Sequence, residues 1–215
     1  MIRGWKAGGS SLDSQLWPIS IPLVVSGSGP QLCSIQTHSG RLLVKTVLLL
    51  RHAKSSWDHP TLTDRLRPLS PRGRKAAPRV GSYMARNGLI PNRVLCSPAR
   101  RAVETWEMVS EQIDDPVEVE VRDDLYHASP GGLLAILQDL PDTEDSVLLV
   151  GHNPTFEELA LELAGAGQAE PLMEVGRKYP TGALAIIEFS VDNWSHVREG
   201  TGYLRAFIRP RFLEP

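Results

Sequence analysis

Short apolar runs alternate with amphipathic stretches from Val44 onward, and this alternation constrains the fold more than any other feature of the chain. Runs of four to seven residues rich in Val, Leu and Ile predict buried β-strands. The predicted strands cover residues 44–50, 93–96, 117–121, 146–150, 183–189 and 203–208. Strands that alternate with helices require crossover connections. We therefore predict an α/β fold with three layers, in which a mostly parallel central sheet carries helices on both faces.

Capping residues mark the helices between these strands. Ser70 followed by Pro71 predicts the start of a first helix, and Asn87-Gly88 predicts its end. Pro78 lies inside that helix, so we expect either a kink or a later start. Further helices are predicted over residues 99–113, over 131–140, and from Asn153-Pro154 to about Gly165.

The first 43 residues differ in kind from the rest of the chain. Residues 1–45 hold four basic side chains and one acidic one, Asp13, which leaves 19 basic and 24 acidic side chains in the remainder. The segment is rich in Ser and Gly and shows neither a helical nor a strand period. We predict a flexible N-terminal extension over residues 1–43. A transit peptide is one alternative, because acids are scarce, and an upstream start codon chosen in error is another.

Composition excludes several classes of function. The formal net charge is −2, so no basic footprint indicates a nucleic acid or an anionic membrane as partner. No apolar run approaches the roughly 18 residues that a membrane span needs. Cys33 and Cys96 lie far apart, which predicts a reducing compartment without disulfides and a cytoplasmic location. The six histidines form no H-x-x-x-H pair, and we predict neither a metal site nor a cofactor.

Polar and charged side chains follow three of the predicted strands. They are Arg51 and His52 after the first strand, Ser97 with Arg100 and Arg101 after the second, and His152 after the fourth. Ligands of open α/β sheets bind beyond the carboxyl ends of the strands, so these side chains should meet at one edge of the sheet. Guanidinium groups match phosphate oxygens in bidentate geometry. This edge is therefore predicted to bind a tetrahedral dianion.

A neutral imidazole is the natural nucleophile toward phosphorus among the groups at this edge. Neighbouring guanidinium charge should lower the pKa of His52 and keep its ring nucleophilic near neutral pH. A covalent phosphohistidine would divide the transfer into two displacements. Arg51, Arg101 and His152 would then neutralise charge on the equatorial oxygens of the transition state.

Three motifs in this order resemble the signature of the histidine phosphatase superfamily, which shares its fold with phosphoglycerate mutases. They are Arg51-His52-Ala53, the stretch S-P-A-R-R-A-V-E-T from Ser97 to Thr105, and Gly151-His152. The resemblance covers residues 44–207 and implies that 44–215 form a histidine phosphatase domain. It selects Arg101 over Arg100 for the phosphate pocket. It also makes His52 the nucleophile and completes the pocket with Arg51 and His152.

The wider pattern L-L-R-H-A-K-S-S-W-D, followed by Asp64, Arg67-Pro68-Leu69 and Arg72-Gly73, resembles the SixA-like phosphohistidine phosphatases. Ser97, Lys54 and Arg67 are candidate substrate-binding residues around the pocket. Solvated surface charges are an equal alternative for Lys54 and Arg67. We expect Trp57 to anchor the core or a loop.

The sequence departs from larger members of the superfamily in two ways. Those members place a Glu after the third strand as general acid, whereas this chain offers Asp123 and Asp124, and Asn153 follows His152. Asp124 is the candidate proton donor, with a loop-capping role as the alternative. A pocket without a strong acid suits phosphohistidine, because imidazole leaves phosphorus more readily than an alkoxide. The insertions are also short, and an open site favours a phosphoryl group carried by a protein.

We therefore predict a phosphohydrolase with a phosphohistidine intermediate that removes phosphate from phosphohistidine on a protein of the histidine-phosphotransfer type. One alternative keeps the chemistry and takes a small phosphoester, such as a sugar or nucleotide phosphate. Another is a phosphate-binding module without turnover, which the presence of Arg51, His52 and His152 disfavours.

Overall fold

The computed structural model of the 215-residue chain describes residues 44–58 and 60–214. The N-terminal extension predicted over residues 1–43 lies outside the described residues. Its boundary with the domain predicted over 44–215 stays a prediction.

A seven-stranded sheet forms the centre of the described part. Its strands are β1 (Lys45–Arg51), β2 (Arg93–Cys96), β3 (Glu118–Val121), β4 (Ser146–Gly151), β5 (Ala164–Gly167), β6 (Leu184–Phe189) and β7 (Gly202–Ile208). The strand order is β3-β2-β4-β1-β6-β7-β5. Every neighbouring pair is parallel except β1 with β6 and β6 with β7, so only β6 runs against the others. The mostly parallel sheet predicted from the sequence is confirmed.

Five α-helices pack against this sheet within the described residues: α1 (Pro71–Arg86), α2 (Arg100–Ser110), α3 (Pro130–Gln138), α4 (Thr155–Leu163) and α5 (Ala169–Arg177). Short 3-10 turns cover Asp64–Leu66, Asp123–Leu125, Trp194–His196 and Pro210–Phe212. None of these helices is long and apolar enough to cross a membrane.

The two faces of the sheet are buried in separate apolar cores, as the alternation along β1 shows. Val47 and Leu49 point into a core shared with α3, α4 and α5. Leu48 and Leu50 point the other way, into a core shared with α1 and α2. Successive side chains of a strand alternate between faces, so a strand that is apolar throughout must be covered on both sides. The predicted three-layer architecture is confirmed.

Helix α1 begins and ends at the residues that the sequence predicts. The Ser70 hydroxyl accepts a hydrogen bond from the backbone N–H of Gly73 at 3.2 Å, and Gly88 beyond the last turn has a φ of 63°. The later start considered for this helix is wrong, because it runs unbroken from Pro71 through Pro78. Proline costs the helix one backbone hydrogen bond, which burial of its apolar face against α2 offsets.

The sequence patterns did not predict two of the elements, the strand β5 and the helix α5. The residues of β5 read A-G-A-G, which carries none of the branched or aromatic side chains that mark a strand. This strand forms because small residues let its backbone approach its neighbours closely. A Cβ atom on Gly165 would overlap the carbonyl oxygen of Gly200. The preceding helix, α4, ends at Leu163, two residues before its predicted end.

Replacing Gly73 with Ala should destabilise the protein. A Cβ atom on Gly73 would overlap the carbonyl oxygen of Lys54, which also accepts hydrogen bonds from the backbone and hydroxyl of Ser70. Forcing the start of α1 away from Lys54 should lower the free energy of unfolding by about 1–3 kcal/mol. Chemical denaturation measures this change.

The matched control is Gly131→Ala in the first turn of α3, where no atom lies within 4 Å of the added methyl group. That substitution should stabilise the protein by up to about 1 kcal/mol, because alanine favours the helix over glycine. Equal stability of the two variants would contradict the packing account.

Candidate active site

The ring of His52 occupies the carboxyl edge of the sheet directly after β1. Only 8% of the residue is exposed, and its backbone N–H donates to the carbonyl of Gly151 on β4 at 2.9 Å. Its Nδ1 lies 2.7 Å from the carbonyl oxygen of Ala53. A carbonyl oxygen can only accept, so Nδ1 carries the proton. The lone pair of the neutral ring is therefore on Nε2.

Arg101 donates a hydrogen bond to each of the two imidazoles at this edge. It lies in the first turn of α2, is 7% exposed, and donates from Nε to Nε2 of His52 at 3.2 Å. Its Nη2 donates to Nδ1 of His152 at 3.3 Å. The two imidazole centroids stand 5.1 Å apart. The structure thus brings together three side chains from three different strand ends, as the sequence predicts.

His152 follows β4, and its ring forms a hydrogen bond with the hydroxyl of Ser97. Because Nδ1 of His152 accepts from Arg101, its Nε2 carries the proton and donates to the Ser97 hydroxyl at 2.7 Å. Ser97 is 0% exposed, and its hydroxyl also accepts from the backbone N–H of Ala99 at 3.4 Å. This placement does not support Ser97 as a direct substrate contact. Its hydroxyl fixes the orientation of the His152 ring instead, while Arg101, which can only donate, sets the tautomer.

Arg51, at the end of β1, brings a second guanidinium to the edge. It donates from Nη1 to the carbonyl of Tyr179, while its Nε is buried and has no hydrogen-bond partner. No carboxylate oxygen of the described residues lies within 4.0 Å of its guanidinium nitrogens. Burial lowers the pKa of Arg51, although the charge of Glu157 opposes this effect. A buried donor without a partner is costly unless a ligand supplies an acceptor.

Both histidines are held in the neutral form. Burial lowers the pKa of His52 to about 3, and the hydrogen bond to Ala53 opposes this shift, while His152, Arg101 and Arg51 add to it. Burial and the charge of Arg101 lower the pKa of His152 to about 4. Removing water from an imidazolium and placing it beside guanidinium groups both disfavour the charged form. The ring of His52 therefore keeps its lone pair at neutral pH.

Asp64 holds Arg101 in place, a role that sequence analysis did not assign. Its carbonyl oxygen accepts from Nη1 of Arg101 at 2.6 Å, and its carboxylate oxygen Oδ2 lies 2.9 Å from Nη2. The hydroxyl of Tyr126 donates to the same carboxylate oxygen at 2.7 Å. Partial burial raises the pKa of Asp64, but the bond from Tyr126 and the charge of Arg101 outweigh it and lower the pKa overall. The signal available in the sequence was the place of Asp64 within the wider SixA-like pattern.

Thr105 explains the end of the second motif. Its hydroxyl donates to the carbonyl of Arg101 at 2.6 Å and accepts from the backbone N–H of Ala53 at 3.0 Å. This hydroxyl ties the first turn of α2 to the residue that follows His52. The neighbouring Arg100 has a side chain that is 51% exposed and pairs with Glu104 at 2.7 Å. Of the two adjacent arginines, only Arg101 contacts the histidines.

Arg67 supports the loop between His52 and α1 from within. It donates from Nε to the carbonyl of Ser56 at 3.2 Å and from Nη2 to the hydroxyl of Ser55 at 2.7 Å. Its guanidinium lies 3.3 Å from the ring centroid of Trp57, which is 71% exposed and so does not anchor the core. The alternative of a solvated Arg67 is wrong, because the residue is 9% exposed. Lys54, by contrast, is exposed at the start of this loop.

The contacts of the two aspartates after β3 do not support a role in proton donation. Arg122 donates to both carboxylate oxygens of Asp124, at 3.0 and 2.6 Å, and these hydrogen bonds lower the pKa of Asp124. Asp123 pairs with Arg65. Asp124 is therefore ionised at neutral pH and engaged by its neighbour, which does not support the predicted role as a donor.

Metal-binding side chains do not cluster in the described part of the chain, where no group of three or more His, Cys, Asp or Glu could hold an ion. The predicted independence from metals and cofactors stays a prediction. The site has two guanidinium groups and the Asp64 carboxylate, with two neutral imidazoles, so it is positively charged and suited to an anion.

A scan against protein families matches residues 47–133 to the histidine phosphatase superfamily (branch 1). An uncharacterized protein of Mycobacterium leprae is 33% identical over 168 residues, which cover 75% of this chain and all of that protein. The phosphohistidine phosphatase SixA of Escherichia coli is 30% identical over 128 residues, which cover 59% of this chain and 78% of that protein. The solved structure of a proposed phosphohistidine phosphatase SixA from Agrobacterium tumefaciens superimposes with a TM-score of 0.66 at 26% identity, covering 77% of this chain and 98% of that one.

The neutral state of His52 gives a prediction for its titration. With a pKa lowered to about 3, its ring should stay in the Nδ1–H form as the pH falls from 8 to 5. An unperturbed histidine would become protonated near pH 6.5. Imidazole ¹⁵N shifts recorded across this range measure the transition, with the urea-unfolded chain as control. A midpoint for His52 near 6.5 in the folded protein would contradict the prediction that burial lowers the pKa of this ring.

Proposed function

This chain belongs to the histidine phosphatase superfamily, and from that premise we propose that it hydrolyses phosphohistidine on a protein through a covalent intermediate at Nε2 of His52. The protein is a phosphatase, and the proposal concerns the residues that act and the phosphoryl group that they accept. A partner of the histidine-phosphotransfer type and a cytoplasmic location are part of the proposal.

One observation supports it above all others, the unprotonated Nε2 of His52 beside the guanidinium of Arg101. The Ala53 carbonyl fixes the proton on Nδ1, and the unprotonated Nε2 accepts a hydrogen bond from Arg101 Nε at 3.2 Å. The nucleophilic atom is thus already adjacent to the charge that would stabilise a phosphoryl group bound to it. Arg51 adds a buried donor that has no partner of its own. Donors that are already in place beside the reacting atom stabilise a transition state with little reorganisation.

The reaction then follows in two displacements. In the first, Nε2 of His52 attacks phosphorus, a P–N bond forms, and the bond from phosphorus to the leaving imidazole breaks. The Nε–H of Arg101 is redirected from Nε2 to a phosphoryl oxygen, and the Nδ1–H bond to Ala53 stabilises the positive charge on the ring. In the second, water attacks phosphorus and the bond to Nε2 breaks. Both protons of the water leave with the product as dihydrogen phosphate, and His52 returns to its neutral form with the proton on Nδ1 and the lone pair on Nε2.

The carboxylates around the site favour phosphohistidine over a phosphoester. An alkoxide leaving group needs a proton at the moment of departure, whereas a protonated imidazole leaves without a further acid. Asp64 is bound by Arg101 and Tyr126, and Asp124 is bound by Arg122, and the pKa of each is lowered. Neither is a suitable acid at neutral pH. The likeness to SixA of Escherichia coli supports the same substrate.

Trapping the intermediate tests the role of His52. A peptide with ³²P-labelled phosphohistidine should transfer label to the wild-type protein in a form that is labile in acid and stable in base, as phosphohistidine is. The label should map to the peptide that contains His52. His52→Ala should accept no label and lose turnover, because the attacking nitrogen is gone. His127→Ala, which removes an exposed histidine near the site, should behave as wild type.

Two outcomes would contradict the proposal in distinguishable ways. Substantial turnover by His52→Ala would exclude the covalent route. A sugar phosphate or nucleotide with a higher kcat/KM than the phosphohistidine peptide would make the substrate a small phosphoester. Each assay is run with and without EDTA, and loss of activity with the chelator would show that the chemistry uses a metal ion.

The two adjacent arginines give a matched pair of variants. Arg101→Ala removes the guanidinium that contacts both imidazoles, and kcat/KM should fall by about 30- to 1000-fold, or about 2–4 kcal/mol. Arg100→Ala removes a side chain that pairs with Glu104 outside the site, and kcat/KM should change by less than about threefold. Similar losses in both variants would mean that general positive charge, and not the contact of Arg101, supports catalysis.

A further inference from the structure

A concave surface lined by positive charge lies beside the site and has no part in the chemistry described above. We call it the basic cleft, and it has a volume of about 570 Å³. Its charged lining consists of Lys54, Arg72, Lys75, Arg79, Arg209 and Arg211. No acidic residue lines it, and its remaining walls are mainly apolar, from Pro71, Ala76, Pro180 and Pro210.

Most of these charges are uncompensated. Arg209 pairs with Glu174, whereas the other five form no ion pair with any acid in the described ranges 44–58 and 60–214. The whole chain has a net charge of −2, so this concentration of positive charge does not follow from composition. Like charges on one surface repel each other, and a bound anionic partner would relieve that repulsion.

Two of the residues that line the cleft, Lys54 and Thr181, are close in the chain to residues of the catalytic edge. Lys54 lies two residues after His52 on one wall. On the other wall, Thr181 is followed by Gly182, whose backbone N–H donates to the carbonyl of Arg51 at 3.0 Å and to that of His52 at 3.1 Å. Strand β7 ends at the same edge of the sheet and leads into the third part of the wall, residues 209–211. A partner bound in the cleft would therefore lie next to the nucleophile.

The spacing of the charges on α1 indicates the shape of that partner. Arg72, Lys75 and Arg79 lie three and four residues apart, so they share one face of the helix. At a rise of 1.5 Å per residue they extend over about 10 Å. A single phosphate would need donors that converge on one point. An acidic helix with carboxylates at the same three- and four-residue spacing would instead place one carboxylate opposite each of these three basic side chains.

We propose that the basic cleft docks an acidic helical face of the phosphoprotein substrate and so presents its phosphohistidine to His52. This inference rests on the proposed function, because it assigns a docking surface to the same substrate. Exposed charge complementarity increases the rate of association and selects among partners, and salt screens it. Selectivity between phosphohistidine proteins would then depend on α1 and on residues 209–211, while the chemistry is common to all of these proteins.

Two matched peptides test the docking surface. Both have the same length and one central phosphohistidine, and one has Glu at helical spacing on both sides where the other has Gln. At low salt the wild-type protein should show a kcat/KM at least about tenfold higher for the acidic peptide, through KM. The triple variant Arg72→Glu/Lys75→Glu/Arg79→Glu should lose this preference. The control Arg86→Glu, an exposed charge at the far end of α1, should keep it.

The kcat of every variant on p-nitrophenyl phosphate should stay close to that of the wild type, because none of these arginines or lysines contacts the catalytic side chains. Equal kcat/KM for the two peptides in the wild type, or a preference that survives in the triple variant, would overturn the inference. Titration with inorganic tripolyphosphate distinguishes a small polyanion. If it binds the wild type but not the triple variant while the peptides are not discriminated, the cleft is a polyanion site and the docking inference is wrong.

Failure of the proposed function would have a different signature. The wild type would then hydrolyse p-nitrophenyl phosphate but neither phosphohistidine peptide. In that event the unphosphorylated acidic peptide, labelled with a fluorophore, is titrated directly. Binding by the wild type that the triple variant loses would support the cleft as an acidic docking surface, and equal binding by both would overturn it.

Discussion

The contact between the guanidinium of Arg101 and the two imidazoles is the interaction on which the site depends. The contact requires that the ring nitrogen facing Arg101 carries no proton in either histidine, because a guanidinium donates hydrogen bonds and accepts none. Burial enforces that condition, and lowers the pKa of His52 to about 3 and that of His152 to about 4. The arrangement therefore joins two requirements that usually oppose each other, namely a concentration of positive charge for an anionic substrate and a nitrogen that keeps its lone pair for attack.

Much of the surrounding structure holds that contact in place. The Thr105 hydroxyl joins the first turn of α2 to the backbone after His52, and the Ser97 hydroxyl orients the ring of His152. Asp64 accepts from Arg101 through both its carbonyl and its carboxylate, and Tyr126 holds that carboxylate. These supports lie in segments that follow different strands. Only a sheet that places the ends of β1, β2 and β4 side by side can assemble them.

Positive charge is arranged in two different ways in this molecule, according to its burial. In the site, Arg101 and the Nε of Arg51 are buried at one edge of the sheet, where their attraction for a dianion is strong because little water screens it. In the basic cleft, the exposed Arg72 and Lys75 are spread along a helix face, where each contributes little alone and the row provides direction. The first arrangement suits catalysis on one phosphoryl group, and the second suits recognition of a surface.

The sequence by itself determined the α/β architecture, the start and end of α1, and the four side chains at the carboxyl edge, because these depend on local periodicity, capping residues and motif spacing. It could not determine what depends on contacts between distant segments. The backbone approach that makes A-G-A-G a strand, the burial of Arg67 under Trp57, and the hold of Asp64 on Arg101 are of this kind. The basic cleft likewise joins α1 to residues 209–211, over a hundred positions apart in the chain. Periodicity records which face of an element is buried, whereas only tertiary packing decides which polar atoms meet there.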